Sequence, residues 1–208
     1  MMNHPAPCES RHPGGVCGAL MAGGRSTRMG RDKALLETGG KALWLRQWES
    51  LEALTARVAV VAPARPDWLP DAYSWIADLA PGGGPASGLA GAMGWAAGEG
   101  AGHVLVLAVD MPRISPGFLR SLLGAARPGV GVVPLGDHGY EPLCAVYPAG
   151  SGGFAAECLR QGEKRVRNLV ARLVDQGSMT VRKLSFFEHE EFLNVNTPSD
   201  WKQVEDAE

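Results

Sequence analysis

The sequence predicts an α/β fold, namely a single-domain, three-layer αβα sandwich built on a mostly parallel, Rossmann-like sheet. Short apolar runs of strand length alternate along the 208 residues with segments whose apolar residues recur at helical spacing. The 28 glycines and 15 prolines fall mostly between these runs, where the loops of such a sheet lie. Because strand–helix alternation covers both faces of a parallel sheet with helices, three layers follow.

The predicted strands are the short apolar runs. Val16–Met21 ends at a glycine-rich loop, and His103–Val109 ends at Asp110-Met-Pro. A glycine-flanked turn at 136–139 is expected to join two strands in the second half of the chain. The other strands are predicted at Val58–Ala62, Ser74–Ala77, Val130–Pro134, Leu143–Tyr147, Thr180–Leu184 and Phe192–Val195.

The predicted helices are identified by apolar spacing and by their caps. In Leu43–Leu54, the residues Trp44, Trp48 and Leu51 stand at i, i+4 and i+7 and form one face. Ser115 and Thr197 are expected N-caps, each followed by proline at the first helical position. The other helices are predicted at Ser87–Ala97, Pro116–Ala126, Phe154–Arg160, Val166–Leu173 and in a short segment from Pro198.

Composition excludes several classes of protein. Hydrophobic residues make up 45% of the chain and charged residues 20%, with a net charge of −2. This balance is that of a globular protein, and the lack of a basic surplus argues against general nucleic-acid binding. No apolar run is long enough to span a membrane. Residues 1–14 lack the apolar core of a signal peptide, so we expect a flexible N-terminal extension, a domain at 15–205 and a cytoplasmic location.

The segment from Leu20 to Lys33 carries the strongest chemical signal. It reads Leu-Met-Ala-Gly-Gly-Arg-Ser-Thr-Arg-Met-Gly-Arg-Asp-Lys and follows directly from the first strand. A glycine-rich, cationic loop at a strand end lets backbone N–H groups and positive side chains converge on phosphate. Ala34 after Lys33 excludes a Walker A loop, and the Gly-x-Gly-x-x-Gly dinucleotide fingerprint is missing. The segment therefore predicts a nucleotide site of another kind.

This loop resembles Leu-x-Gly-Gly-x-Ser-x-Arg-Met-Gly-x-Asp-Lys, the signature of the molybdenum cofactor guanylyltransferases. These are MobA-like members of the nucleotidyltransferases with a pyrophosphorylase-like fold. Four later motifs follow in the family's order: Asp78 ahead of a Gly-Pro segment, Val-Asp-Met-Pro at 109–112, Glu-Pro-Leu-x-Ala-x-Tyr at 141–147 and Asn-Val-Asn-Thr-Pro-x-Asp at 194–200. The resemblance thus extends from Gly18 to about Asp200.

Asp110 is the predicted metal ligand. It directly follows a predicted buried strand. Mg²⁺ prefers hard oxygen ligands, often one or two carboxylates together with substrate phosphates. The resemblance implies the same role for Asp110, with Mg²⁺ as cofactor. The alternative is that Asp110 only caps the following turn. Because ligands of open α/β sheets bind beyond the carboxyl ends of strands, the loops at Ala22, Asp78 and Asp110 are expected to share one crevice.

Arg28 and Lys33 are predicted to stabilise the charge that develops on phosphate oxygens during nucleotidyl transfer. Cations held in a rigid site often supply the largest catalytic term, arginine as a planar fork and lysine as a mobile point charge. The alternative for both is an ordinary solvated side chain. The predicted catalytic residues are therefore Arg28, Lys33 and Asp110, and the predicted nucleotide-binding residues are Met21, Ala22, Gly23, Gly24, Lys33, Asp78 and Asp110.

Three further motifs carry candidates with an alternative structural role. The resemblance implies that Asp78 contacts GTP, although Ala86-Ser87 replaces the family's Leu-Ala and Ser87 is an alternative cap for the next helix. Glu141 either lines the pterin side of the crevice or belongs to an ordinary sheet strand. Asn194 and Asn196 either act at the site, Asn196 by orienting the metal or its waters, or hold the entry to the last helix by side-chain hydrogen bonds.

The resemblance implies transfer of GMP from GTP to the terminal phosphate of molybdopterin, with release of pyrophosphate. GTP and the molybdopterin cofactor are then the small-molecule partners, and proteins of molybdopterin loading and molybdoenzyme maturation are expected protein partners. The chain is expected to be a monomer that binds neither nucleic acid nor membrane. Two alternatives stay open: a molybdenum cofactor cytidylyltransferase that uses CTP, and a catalytically inactive GTP-binding or cofactor-carrier protein. Asp32 before Lys33 and the Asn-Val-Asn-Thr-Pro motif favour guanine.

Overall fold

The computed structural model describes residues 15–23 and 32–205. The predicted extension at 1–14 and the predicted site residues Gly24 and Arg28 lie outside these residues. The strands are β1 Val16–Met21, β2 Glu37–Thr38, β3 Lys41–Ala42, β4 Arg57–Ala62, β5 Trp75–Ala77, β6 His103–Ala108, β7 Gly131–Gly136, β8 Gly139–Tyr140, β9 Cys144–Pro148 and β10 Met179–Lys183. The α-helices are α1 Leu43–Glu52, α2 Gly84–Gly98, α3 Pro116–Ala125, α4 Gly152–Arg160, α5 Val166–Asp175, α6 Phe186–His189 and α7 Pro198–Glu205.

A mixed, mostly parallel sheet forms the middle layer. Its strand order is β10-β7-β9-β6-β1-β4-β5, and β8 pairs with the last two residues of β7. The central strand β1 runs parallel to β4 and β6, so that Leu20 lies between Val60 and Leu107. Strand β9 is antiparallel to β6 and β7. The carboxyl ends of β1, β4, β5 and β6 therefore lie at one edge, together with the start of β9.

Helices cover both faces of this sheet, as predicted. Alternate residues of β1 enter opposite cores: Val16 and Leu20 pack with α1 and α3, whereas Cys17, Ala19 and Met21 pack with α2, α4 and α5. This period of two is what a strand buried on both faces requires. At Gly18 a Cβ atom would lie 2.9 Å from Thr55 Oγ1 and 3.1 Å from Leu51 Cβ, so glycine lets the end of α1 approach β1 closely.

The predicted strand at Phe192–Val195 is wrong. Glu190–Phe192 is a 3₁₀ turn, and the chain then runs without regular structure to α7. Val195 donates one backbone hydrogen bond to the carbonyl of Asp110 at 2.9 Å, but the next N–H, that of Asn196, is bound by the Asp200 carboxylate at 2.8 Å. The 3₁₀ turn and this cap leave only Leu193–Val195 between them, so the segment contacts Asp110 through Val195 rather than forming a strand.

Ser87 does not cap the second helix. The helix α2 already begins at Gly84, and Ser87 is buried within it. Its hydroxyl accepts from the N–H of Ala80 at 2.7 Å and donates to the carbonyl of Ala80 at 2.9 Å. A Cβ atom on Gly83 would lie 2.6 Å from Ser87 Cβ, so glycine makes this tight entry sterically feasible. The serine thus closes the Asp78–Gly84 loop onto the helix.

Other local predictions are confirmed. Ser115 caps α3 by accepting the N–H of Phe118 at 3.0 Å, and Thr197 accepts the N–H of Asp200 at 3.2 Å at the start of α7. The turn at 136–139 leads first to the two-residue strand β8 and only then to β9. The hairpin of β2 and β3 and the short helix α6 were not predicted from the sequence.

Candidate active site

Lys33 is held between two oxygen-bearing side chains from distant parts of the sequence. Its Nζ lies 3.2 Å from Asp110 Oδ2 and 2.7 Å from Asn196 Oδ1. The lysine and aspartate side chains are 16% and 26% exposed, so the ion pair is largely shielded yet reachable from solvent. Three residues predicted separately therefore meet at the carboxyl edge of the sheet.

The backbone at Asp110 is fixed from two directions. Its carbonyl accepts the N–H of Val195 at 2.9 Å, which ties it to the segment that carries Asn196. The next carbonyl, that of Met111, accepts the buried Nε2 of Gln47 at 2.6 Å. Gln47 was not among the predicted site residues, because a glutamine on an amphipathic helix gives no local signal of such a role. These bonds hold the carboxylate at a defined position beyond β6.

Asn196 belongs to a local turn that also starts α7. The Asp200 carboxylate accepts the N–H groups of Asn196 and Thr197, both at 2.8 Å. These two hydrogen bonds lower the pKa of Asp200 below its ordinary value. The side chain that holds the helix entry is thus that of Asp200, whereas the Asn196 side chain contacts Lys33. Asn194 is exposed, two residues away.

Met21, Ala22 and Gly23 lead out of β1 at the same edge. The N–H of Ala22 donates to Val61 at 3.0 Å and the carbonyl of Met21 accepts from Val109 at 3.0 Å, so this backbone is tied to both neighbouring strand ends. Gly23 is exposed. The loop therefore leaves the sheet between β4 and β6, as a phosphate-binding loop requires.

Asp78 lies beside Met21 and the first turns of α2. A Cβ atom on Gly88 would lie 3.1 Å from Asp78 Oδ1 and 2.8 Å from Met21 Cε. Only a residue without a side chain leaves room for the carboxylate and the methionine together at this point of the helix. Burial raises the pKa of Asp78 above its ordinary value. Asp78 and Met21 are therefore neighbours, as the shared-crevice prediction requires.

Glu141 contacts a different part of the molecule. Its Oε1 lies 3.5 Å from the point that a Cβ atom on Gly136 would occupy, in the hairpin of β7 and β8. Burial raises its pKa, while Arg167 and, to a smaller extent, His138 and His189 act in the opposite direction. The carbonyl of Leu143 accepts from Ala108 at 2.7 Å, so Glu141 precedes a strand start that lies at the Asp110 edge.

Asp32, predicted only as part of a motif, holds the turn that carries Lys33. Its Oδ1 accepts the N–H of Ala34 at 3.0 Å and caps the 3₁₀ turn Lys33–Leu35. Its Oδ2 accepts Trp68 Nε1 at 2.8 Å. The cap had a local signal, since aspartate favours such positions, whereas the tryptophan is too far along the chain to be inferred.

The comparisons with known proteins agree with this geometry. The family described as the MobA-like NTP transferase domain matches residues 18–177. The chain belongs to this family. A curated relative from Opitutus terrae, named "Probable molybdenum cofactor guanylyltransferase", is 39% identical over 192 residues, which is 92% of this chain and 95% of the relative. This MobA-like chain is therefore a nucleotidyltransferase.

Solved structures share the fold of this MobA-like chain. The molybdopterin-guanine dinucleotide biosynthesis protein A of Archaeoglobus fulgidus superposes with a TM-score of 0.68 at 22% identity, over 92% of this chain and 97% of that one. A protein of Mycobacterium tuberculosis H37Rv, crystallised in complex with manganese, gives 0.61 at 17% identity, over 93% and 100% of the two chains. The single-domain nucleotidyltransferase architecture predicted from the sequence is confirmed.

The two oxygen-bearing side chains around Lys33 suit a hard divalent cation whose remaining ligands come from a substrate and water. Within residues 15–23 and 32–205, no group of three or more His, Cys, Asp or Glu side chains could hold a metal by itself. Asp110 and Asn196 nevertheless offer a carboxylate and an amide oxygen around one ammonium group. One or two such ligands are enough when phosphates and waters supply the rest.

None of the described helices is long and apolar enough to cross a bilayer.

Proposed function

We propose that this enzyme transfers GMP from GTP to the terminal phosphate of molybdopterin, yielding the guanine dinucleotide form of the cofactor and pyrophosphate. The observation that carries the proposal is the contact of Lys33 with Asp110 and Asn196 at the strand edge where the glycine-rich loop begins. The name of the Opitutus terrae relative supports GTP as donor and the molybdenum cofactor as acceptor. We expect the enzyme to act as a cytoplasmic monomer that exchanges its cofactor with the proteins of molybdopterin loading and molybdoenzyme maturation.

The proposed step is an in-line displacement at the α-phosphorus of GTP. A terminal phosphate oxygen of the pterin forms the new P–O bond as the bond to the oxygen that bridges to the β-phosphate breaks. Pyrophosphate leaves with the bonding electron pair. Because the attacking phosphate is already ionised at neutral pH, no side chain has to remove a proton. The protein's contribution is then positioning and charge neutralisation.

Lys33 is proposed to neutralise the charge that develops on the phosphate oxygens. Its ammonium is already aimed by Asp110 and Asn196, so little reorganisation is needed at the moment of reaction. Arg28, outside the described residues, is proposed to assist it from the glycine-rich loop. The backbone of Met21, Ala22, Gly23 and Gly24 is proposed to meet the nucleotide.

Asp78 and Glu141 are proposed to act on the two substrates at opposite sides of the crevice. Asp78, next to Met21, would accept hydrogen bonds from the nucleoside. Glu141, before the start of β9, would face the pterin. Asn194, which is exposed and lies two residues before Asn196, is proposed to lie at the rim between them.

Asp110, with Asn196, would hold Mg²⁺ during the reaction. The ion would supply Lewis-acid polarisation of the triphosphate and charge compensation for pyrophosphate. Manganese in the Mycobacterium tuberculosis protein of the same fold supports the use of a divalent ion.

A nucleotide-selectivity assay tests the proposal. The purified protein is incubated with Mg²⁺, molybdopterin and each of GTP, CTP, ATP and UTP, and pyrophosphate release is measured. We expect release with GTP that depends on both the metal and the pterin.

Release with CTP but not with GTP would identify a cytidylyltransferase instead. Binding of GTP without pyrophosphate release from any nucleotide would identify a carrier. Release with GTP in the absence of pterin would mean hydrolysis or another acceptor. Each outcome thus removes a different element of the proposed reaction.

A further inference from the structure

Asp32 holds the backbone turn that carries Lys33. Its carboxylate uses both oxygens: Oδ1 caps the 3₁₀ turn through the N–H of Ala34, and Oδ2 accepts the indole N–H of Trp68. Capping alone would leave the carboxylate free to rotate about its last bond. The second hydrogen bond, 2.8 Å long, removes that freedom and fixes the turn from which Lys33 projects.

Trp68 packs in an aromatic cluster with Tyr73 and two tryptophans of α1. Its ring centroid lies 5.4 Å from that of Trp44, which is only 7% exposed. Trp44 packs edge-on against Tyr73 at 5.0 Å, and Tyr73 packs edge-on against Trp48 at 4.9 Å. Such contacts restrain ring positions, so the indole donor of Trp68 has a fixed direction.

A chain of contacts therefore leads from the core to the reacting groups. Trp44 restrains Trp68, Trp68 restrains the Asp32 carboxylate, and Asp32 holds the turn of Lys33. Lys33 in turn reaches Asp110 and Asn196. The contacts at Asp110 act on the far end of the lysine side chain, whereas Trp68 acts on its near end.

We propose that Trp68 is a positioning residue for Lys33, acting through the hydrogen bond from its indole N–H to the Asp32 carboxylate. The inference rests on the proposed function, because it assigns Trp68 a part in the same transfer. Its effect is on the alignment of the ammonium with the phosphates and hence on the chemical step. GTP affinity, which depends on other contacts as well, changes little.

The test is Trp68→Phe, which removes the N–H donor and keeps an aromatic ring against Trp44. We expect kcat to fall about fivefold while KM for GTP stays within about twofold, as for a group that matters mainly in the transition state. Asp32→Asn is the second variant, since it weakens the same hydrogen bond from its other side. Trp75→Phe is the matched control, because it loses an indole hydrogen bond of 3.3 Å to the carbonyl of Ala62.

A double-mutant cycle separates positioning from general stability. In the Lys33→Ala background, Trp68→Phe should reduce kcat no further, because there is no ammonium left to align. Equal losses in both backgrounds would mean that Trp68 only stabilises the fold and would overturn the proposal. So would a wild-type kcat in Trp68→Phe, or a loss of the same size in Trp75→Phe.

An NMR measurement tests the contact without any assay of activity. In protein labelled with ¹⁵N-tryptophan, the indole signal of Trp68 is assigned as the one lost in Trp68→Phe. We expect Asp32→Asn to shift this signal and to leave that of Trp75 in place. No shift would overturn the inference. A shift in an enzyme that transfers no nucleotide would keep the Trp68–Asp32 contact and reject the proposed function instead.

Discussion

Asp110 and Asp78 each follow a parallel strand at the same edge of the sheet, yet their surroundings differ. Asp110, after β6, contacts an ammonium group at 3.2 Å. Asp78, after β5, lies beside Met21 and Gly88, where the missing side chain leaves it room. Similar positions in the fold thus give one charge-compensated carboxylate and one whose pKa is raised by burial. The difference indicates that the fold supplies the location and the neighbouring segments supply the chemistry.

This contrast assigns the two residues to different kinetic parameters. A carboxylate paired with lysine belongs to a charged cluster, where transferring phosphates and a divalent ion interact most strongly. A half-buried carboxylate next to an apolar side chain is better suited to accept hydrogen bonds from a neutral part of the substrate. Asp110 should therefore affect mainly kcat, and Asp78 mainly KM for GTP.

The largest effect is expected from breaking the charged cluster. Asp110→Ala and Lys33→Ala should each lower kcat at least tenfold, which corresponds to about 1.4 kcal/mol of transition-state stabilisation. Steady-state kinetics with GTP, Mg²⁺ and molybdopterin measure this. The physical reason is that Asp110→Ala removes the proposed metal ligand, whereas Lys33→Ala removes the cation proposed to neutralise charge on the phosphate oxygens.

Matched controls exist for both variants. Lys41 is paired with Glu49 at 2.6 Å and Asp71 with Arg65 at 3.6 Å, both at the surface. Lys41→Ala and Asp71→Ala should leave kcat within about twofold, because exposed ion pairs contribute little to stability and these two are not part of the Lys33 cluster. Full turnover in either cluster variant would mean that the reaction takes place elsewhere.

The next largest effect is expected at Asp78. Asp78→Ala should raise KM for GTP about fivefold and change kcat less than twofold, because a substrate hydrogen bond is lost in the ground and transition states alike. Titration of GTP at saturating pterin gives both constants, and Asp175→Ala, on the exposed end of α5, is the control. A fall in kcat with unchanged KM would mean that the two aspartates do not divide the work in this way.

The sequence predicted each of these aspartates but not the difference between them. Strand ends, N-caps and the glycine-rich loop depend on neighbours within a few residues, so Val16–Met21, Ser115 and Thr197 are found where they were expected. The pairing of Lys33 with Asp110 joins residues 77 positions apart, and that with Asn196 joins residues 163 apart. Such contacts follow from strand order, which local patterns do not encode.

The same reasoning explains what was missed. Trp68 reaches Asp32 across 36 positions, and Gln47 reaches Met111 across 64, so neither carried a local signal. The predicted strand at Phe192–Val195 failed for the opposite reason. There the apolar pattern was present, but the 3₁₀ turn Glu190–Phe192 and the Asp200 cap at Asn196 leave only Leu193–Val195 between them.

A smaller effect is expected from filling the space beside Asp78. In Gly88→Ala the new Cβ would lie 3.1 Å from Asp78 Oδ1 and 2.8 Å from Met21 Cε, so both side chains must shift. We expect KM for GTP to rise about threefold at an unchanged kcat. Gly94→Ala in the same helix is the control, because its Cβ would meet nothing within 4 Å.

The control also separates packing from helix propensity. Replacing glycine by alanine within a helix stabilises it by up to about 1 kcal/mol. Gly94→Ala should therefore raise the melting temperature and leave KM unchanged, whereas Gly88→Ala should gain less stability and lose affinity. Equal behaviour of the two variants would mean that Gly88 gives Asp78 no special space.

The smallest effect is expected in the pH dependence of stability. Because burial raises the pKa of Asp78 in the folded protein, its ionised form disfavours folding, and this loss develops as pH rises through the folded pKa. Asp78→Asn should therefore be more stable than the wild type at pH 7, by less than about 1 kcal/mol because solvent still screens the half-buried group. The advantage should vanish below about pH 4, where the carboxyl is protonated in both states. Urea unfolding from pH 3 to pH 8 measures this, with Asp175→Asn as control. A variant that is equally stable at pH 7, or whose advantage grows toward acid pH, would show that Asp78 is compensated like Asp110, and the comparison between the two aspartates would fail.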